Sequence, residues 1–531
     1  MSRNVVNLDA LLPRANLDAP EIASAADVQG FKVGDLEPGL IYNWLRKPDF
    51  QRETASWSPE QIVDLIVTFA SGNIIPAIVL WQNGQSVFVI DGAHRLSALI
   101  AWVRDDYGAG EISALHYQNV IPEHQKKMHD ATRDIIKDGV KSYRDHKLAA
   151  QFPNNADPEV LARASKFPFR NIEIQWIRNA SIKQAKESFF RINQGGVKID
   201  AIETRILRAN NSAVAISARA ISRGGTGHDY WSRFEDDVKK EIVKLSGEIS
   251  KLLFSPNLVM PVNTLDVPLA GFGYGSHVLP FAFDLVNVAN GLGLPDSTRK
   301  AAPQGESDIP DDTDGRETCQ YLRKVKDLVE LLCSKHSGSL GLHPALYFYS
   351  PRGDFLPTAF FNVSAWVMEL ETRRRLQQFK NIRGEFENLI LSHPVISKPA
   401  VHSLGSGGRS RLRTTQLFSR IFDLLSSGGS PDNVWATVIS EPDFHFLLLE
   451  DEEQQREATQ GLPGRPFPRR AKSAGFLRQA LPQALRCSLC GGLMHMNGMT
   501  SDHTEERNKM GTSADENARS VHPICNSSRE T

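Results

Sequence analysis

Periodicity and punctuation along the chain set out its elements before any composition is counted. Ser58-Pro59-Glu60-Gln61 supplies an N-cap, a first-turn proline and early acidic charge ahead of the apolar run IVDLIVTFA, and Gly72 follows, so a helix is expected there. Two short β-rich runs, Ile78–Trp81 and Ser86–Ile90, flank Asn83-Gly84, the dipeptide of a tight hairpin. Asp91-Gly92-Ala93-His94-Arg95 comes next and passes straight into LSALIAWV, whose spacing is helical. Ile172–Ile177 alternates as a strand does. Ser181 to Gln184 then opens a helix that stops at Gly195-Gly196, and Asp200 to Glu203 opens another with capping-box spacing. From about Thr318 to Glu450 the pattern is mainly helical, with Tyr321, Leu322, Val325, Leu328, Val329 and Leu332 on one face.

Three irregular stretches break this pattern: an acidic segment ending at Thr318, the Gly/Ser-rich then basic SLGSGGRSRLR, and the run into GLPGRPFPRRAK. The expected architecture is therefore α+β and multidomain. It comprises an N-terminal extension over 1–35, an α/β domain over 36–300, a linker over 301–318, a mainly helical middle domain over 319–453, a basic Pro/Gly tether over 454–480 and a small C-terminal domain over 481–531. No repeat of solenoid period is present.

Composition narrows the classes. Of 531 residues 41% are hydrophobic and 23% charged, enough to bury real cores. Lys+Arg 61 against Asp+Glu 62 gives a net charge of -1, which excludes a polycation; nucleic acid must be met by local basic patches. No apolar run approaches the roughly 18 residues of a membrane helix, and the N-terminus has neither the basic nor the apolar region of a secretory signal. Five cysteines do not make a disulfide framework in a chain this long, so a cytoplasmic protein without a membrane partner is expected.

Where a strand hands over to a helix, unpaired N–H groups and the helix dipole favour an anion. At DGAHR, Gly92 allows close backbone approach, His94 and Arg95 add donors, and Asp91 suits a metal or a ribose hydroxyl. Five such residues alone also describe an ordinary Asp-Gly turn. The wider string is more specific: Phe50-Gln51-Arg52, Trp57-Ser58-x-Glu60-Gln61-Ile62, the hairpin, Ile90-Asp91-Gly92-x-His94-Arg95, and then Phe189-Phe190-Arg191-Ile192-Asn193-Gln194-Gly195-Gly196 with Glu203 and Arg205. From about Leu36 to Arg208 this resembles the ParB-like DGQQR-type domain of GmrSD/SspE-type defence nucleases. The third motif position is Ala93 where that family usually has Gln. The resemblance implies nucleoside triphosphate binding (GTP, ATP or CTP) and hydrolysis, with Asp91, Gly92, His94 and Arg95 lining the phosphate site. It places Gln51 and Arg52 on the preceding loop and Arg191 and Asn193 on the second motif. Glu203 and Arg205 read equally as part of the second motif's site and as a structural pair in which Glu203 is a helix cap, and Trp57 reads as core.

The last stretch carries the most specific spacing. Cys487-x-x-Cys490 and His522-x-x-Cys525 are two ligand pairs of the kind that hold a structural Zn²⁺ in a unit too small to fold on apolar area alone. Between them Asn497-Gly498 marks a two-stranded turn with Asp502-His503 at the end of its second arm, Ser513 to Glu516 opens a short helix containing Asn517, and His495 reads as a strand residue. C-x-x-C, D-H, N and H-x-x-C-N in this order resemble an HNH endonuclease with a ββα-metal fold. The resemblance implies that His503 is the general base, that Asp502 and Asn526 ligate Mg²⁺ or Mn²⁺, and that Asn517 orients His503 through the loop it pins. After D-H the family has apolar residues and a proline; here stand Thr504-Glu505-Glu506-Arg507. Arg465, Arg469, Arg470 and Lys472 form either a solvated linker or a phosphate-tracking patch.

Together these resemblances imply an anti-phage defence endonuclease of the modification-dependent, type IV-like restriction kind, gated by nucleotide, acting on DNA and possible as a homo-oligomer. Two alternatives remain open: a ParB-like nucleotide-dependent DNA-binding protein with a non-catalytic zinc ribbon, and an RNA-cleaving toxin.

Overall fold

Ser58 caps the helix Pro59–Ser71 as expected: its hydroxyl accepts from Gln61 N, Gln61 answers on the Ser58 N–H, and Gly72 closes the helix with φ +97°. The hairpin forms between β4 (Ile78–Asn83) and β5 (Ser86–Asp91), and the helix Ala93–Arg104 starts directly behind Gly92. These elements belong to a computed structural model that describes residues 5–15, 17, 30–39, 41–84, 86–194, 201–292, 310–396, 408–448, 466–506 and 509–527. Gly195, Gly196 and Asp200 lie outside them.

The chain divides into two compact units. The first holds Met1–Lys239, Tyr274–Pro280 and Gly305–Gly315; the second holds Lys240–Gly273, Phe281–Gln304 and Arg316–Thr531. The boundary expected near residue 300 thus gives way to a crossing at Lys240, and the 319–453 and 481–531 blocks share one unit.

The first unit is built on a six-stranded mixed sheet. With β1 (Arg14–Ala15), β2 (Gly30–Phe31), β3 (Leu45–Pro48) and β6 (Ile172–Ile177), the strand order is β1-β3-β5-β4-β6-β2. β1, β3 and β5 run parallel, as do β4 and β6, while β4–β5 and β2–β6 are antiparallel. The stretch read as an N-terminal extension supplies both edge strands and part of the core. Val6, Leu8, Leu11, Leu12, Phe31 and Val33 are buried with Ile62, Ile66, Leu96 and Leu99, because their apolar area has no other place to go. Short spacing hid this: runs of two or three residues carry no readable period.

The second unit is mainly helical, as the periodicity indicated. Leu322, Val325, Leu328, Val329 and Leu332 are buried along the helix Arg316–Leu332. Trp366 stacks on Phe386 at 5.3 Å and meets Phe379 and Phe418 edge-on, tying the helices Pro357–Thr372, Leu376–Ser392 and Gly408–Ser426 together. The second half of the expected tether is instead the helix Arg469–Ala480. Among the described residues no helix is long and apolar enough to cross a membrane.

Candidate functional site

At the end of β5 the chain turns through Gly92, whose φ of +91° favours glycine and where a Cβ would stand a tight 3.1 Å from Arg95 Nη2. Arg95 donates to Asp91 Oδ2 at 2.8 Å and to the Ala77 carbonyl at 3.0 Å. His94 is buried, with Nε2 2.8 Å from Ser56 Oγ and its ring 5.5 Å from that of Trp57. Burial, helped by Arg52 and Lys47, pulls its pKa down to about 3, so the ring is neutral and serves as a hydrogen-bonding group rather than a cation. Trp57 packs against the core, as read from the sequence.

Three motif segments meet here. Gln51 Nε2 donates to the Ile90 carbonyl at 3.4 Å, and Phe50 packs edge-on to Phe189 at 5.7 Å within a cluster that includes Ile90. The second motif reaches the corner through its aromatic residue more than its polar ones. Asn193 Nδ2 turns back to the Phe189 carbonyl of its own helix, Ile182–Gln194, and Arg191 is exposed. Glu203 and Arg205 are half-buried on the helix Ala201–Arg208.

What sequence reading missed is the hub beneath this corner. Asp9 accepts from Arg14 Nη2 (3.0 Å), Lys47 Nζ (2.5 Å), Arg223 Nη2 (2.8 Å) and the Thr54 N–H (3.1 Å), all within the buried interior of the unit. Arg14 Nη1 continues to the Gln51 carbonyl at 2.6 Å and Nη2 to the Arg52 carbonyl at 3.0 Å, so the hub holds the loop bearing those two residues. Burial alone would raise the Asp9 pKa, but the three cations reverse this and hold it well below the usual carboxylate value. Burial takes the Lys47 ammonium down to about 7 despite Asp9 beside it. The available signal was a charge inside an apolar setting: Asp9 between Leu8 and Ala10-Leu11-Leu12, Lys47 two residues after Leu45.

In the second unit, the ligand atoms of Cys487, Cys490, His522 and Cys525 all lie within 4.8 Å of one another. His522 Nε2 is 3.0 Å from the Leu493 carbonyl, which fixes the tautomer and leaves Nδ1, 3.3 Å from Cys490 Sγ, on the thiol side. Hydrogen bonds from Cys490 and Cys525 draw the Cys487 thiol far below its ordinary pKa, and burial lowers that of His522. Three sulfurs and one neutral imidazole nitrogen, gathered and mostly buried, fit a tetrahedral soft-donor site of the zinc type.

The hairpin beside this cluster differs from the expected one. Asn497-Gly498 lies in the 3₁₀ turn Met496–Gly498, where buried His495 accepts from Asn497 N through Nδ1. The two arms are β7 (Thr500–His503) and β8 (Ala518–Val521), so Asp502-His503 ends the first arm rather than the second. Asn517 sits in the 3₁₀ turn Asp515–Asn517, not in an α-helix. Its Oδ1 accepts from Glu505 N at 2.6 Å, its Nδ2 donates to Thr512 O at 2.7 Å and Glu505 O at 3.1 Å, and its carbonyl accepts from Thr504 N. Asn526, on the helix Pro523–Ser527, donates to the Ser501 carbonyl at 3.4 Å. Both asparagines are thereby bonded to β7 or its exit loop. Asp502 pairs across the hairpin with Arg519, at 2.8 and 3.0 Å through one oxygen. Strand alternation sends Asp502 and His503 to opposite faces of the ribbon, so the four polar residues do not share a single face.

Residues 35–211 match the family model described as GmrSD restriction endonuclease, N-terminal domain. No curated protein and no solved structure matches the chain. The matched stretch holds β3 to β6, the DGAHR turn and the second motif, and this part of the chain is similar to the N-terminal domain of GmrSD restriction endonucleases.

Proposed function

We propose that the chain is a nucleotide-gated defence endonuclease: a ParB-like N-terminal domain binds a nucleoside triphosphate at the DGAHR corner, and an HNH-type module with a structural zinc hydrolyses DNA phosphodiester bonds. The observation that carries this reading is the Cys/His cluster set beside a hairpin whose first arm ends in Asp502-His503. His503 is the general base that takes the proton from the attacking water. Asn517, through its bonds to Glu505 and Thr512, fixes the loop leaving His503. Asp502 and Asn526 offer oxygen donors of the type a hard cation takes, and Mg²⁺ or Mn²⁺ bound there supplies positive charge against the charge growing on the phosphate. Arg519 shares the Asp502 carboxylate and already offsets part of its charge. That same ion pair favours a second reading, a zinc ribbon in which Asp502 is purely structural.

The deciding experiment is cleavage of supercoiled plasmid and of modified and unmodified phage DNA in Mg²⁺ or Mn²⁺, with GTP, ATP or CTP. His503→Ala should lower the rate on the order of 10²–10⁴-fold with zinc content unchanged. Equal cutting by both proteins, or none by the wild type on any DNA, moves the assignment to the ribbon. Cutting of total RNA alone moves it to a ribonuclease. At the other end, Arg95→Ala removes the donor paired with Asp91 and is expected to weaken nucleotide binding at least about tenfold by calorimetry; unchanged binding and hydrolysis would remove the DGAHR corner from the nucleotide site.

A further inference from the structure

Between Glu457 and Asp502 the chain has no carboxylate side chain, yet that stretch holds six cations: Arg465, Arg469, Arg470, Lys472, Arg478 and Arg486. In a protein with 62 acids among 531 residues and a net charge of -1, so long an acid-free interval is a local departure from the whole. Its centre is the helix Arg469–Ala480.

One side of this helix is committed to the second unit. Ser473 is buried and its hydroxyl accepts from Val262 N at 2.9 Å, and Leu477 is buried a turn later. Turning 100° per residue from these positions leaves Lys472, Gly475, Arg478 and Gln479 on the opposite side, and Lys472, Arg478 and Gln479 are exposed. Two of the six cations have other work: Arg470 pairs with Asp354 at 3.0 Å, and Arg486 donates to Gly491 O and Asn388 Oδ1.

Of the helix cations, only Arg478, in the last turn, is placed to favour the helix dipole. Cations in a first turn, as at Arg469 and Arg470, oppose the helix dipole, and no acid lies at i±4 to offset Lys472 or Arg478. Glycine at 475 weakens a helix interior relative to alanine, and a Cβ placed there would meet nothing within 4 Å. Neither packing nor helix stability explains the residue, whereas bare backbone between two exposed cations admits close approach of a bulky anionic chain. Phe467, 76% exposed just before the helix, adds an unpartnered aromatic surface.

We propose that the solvent face of the helix Arg469–Ala480, through Lys472, Gly475 and Arg478, is a docking surface for the phosphate backbone of duplex DNA. This rests on the nuclease reading for its choice of DNA, but its test does not use cleavage. Full-length wild type and Lys472→Glu/Arg478→Glu are titrated against a labelled duplex by fluorescence anisotropy over a range of salt. Both side chains are exposed, so zinc content and heat stability should match wild type. The variant is expected to bind about tenfold more weakly and to lose about two from the slope of log K against log salt, the release expected for two phosphate contacts. An unchanged affinity and slope overturns the proposal, as does the same loss seen only with single-stranded RNA. If the variant loses DNA binding while the wild type cuts no DNA in the separate cleavage assay, the surface stands and the nuclease assignment falls.

Discussion

Stripping the proposed zinc from the full chain is expected to loosen the second unit well beyond the C-terminal hairpin. The cluster sits on a polar seam. Cys490 O accepts from Gly384 N at 3.1 Å, Leu493 N donates to Glu387 Oε2 at 2.5 Å, and Ile524 N donates to Ser339 O at 3.1 Å. Beneath it, Arg383 is fully buried, with Nε 2.7 Å from Glu387 Oε1 and its other nitrogens on the Leu340 and Gly341 carbonyls, while Tyr347 donates to Glu387. Burial would lower the Arg383 pKa, but Glu387 raises it above its ordinary value, so the guanidinium keeps its charge inside the fold. A buried pair is tolerated only while its remaining hydrogen bonds are made, and Leu493 N is among them. Structural zinc sites carry roughly 10–16 kcal/mol of apparent binding energy, comparable to the whole stability of a domain. Chelation, or Cys487→Ser, should therefore raise amide exchange along the helix Leu376–Ser392 as well as in the hairpin. Protection of that helix unchanged after metal loss would show the cluster to be an independent appendage.

The contrast between the two ends of the chain shows what sequence can carry. The DGAHR corner was legible because each of its parts is local: an Asn-Gly hairpin, a Ser/Gln capping box, a glycine with positive φ. The four metal-ligand positions were legible for a similar reason, since two short-range pairs define them and only one long-range closure is needed. The hairpin between them was misplaced because Asn497-Gly498 has a hairpin dipeptide but no partner strand. His495 fixes it as a 3₁₀ turn, and β7 pairs instead with a segment beyond a long polar loop. The Asp502–Arg519 pair follows from that register and from nothing local. In the first unit, edge strands of two residues and a hub joining Asp9 to Arg223 are long-range by construction. Periodicity finds faces; it does not find the partner a buried charge will meet.

That hub supplies the other large expected effect. Asp9→Asn keeps the volume of the side chain but leaves Arg14, Lys47 and Arg223 buried without their shared carboxylate, and Thr54 without its acceptor charge. Removing one partner from a buried ion cluster costs about 3–5 kcal/mol, so the first unit should lose a large part of its stability in denaturant titration. The loop of Gln51 and Arg52, held by Arg14, should loosen with it, and nucleotide affinity should fall even though Asp9 touches no nucleotide in this scheme. Lys47→Met separates charge from packing. It removes a cation that burial has brought down to about 7, so the single variant should be close to neutral and should partly rescue Asp9→Asn, a coupling read from the double-mutant cycle. The pH dependence has a definite sign. An unfolded lysine titrates near 10.4, so between about pH 7 and 10 the unfolded chain binds the extra proton and Lys47 makes stability rise with pH; Lys47→Met should flatten that rise. Asp9 acts in the acid range: its folded pKa is depressed, so its contribution is complete above the ordinary carboxylate value and is lost as pH falls through the folded one. Additive single effects with no rescue, and an alkaline slope indifferent to Lys47, would mean that the hub is solvated and that the loop of Gln51 and Arg52 is held by something else.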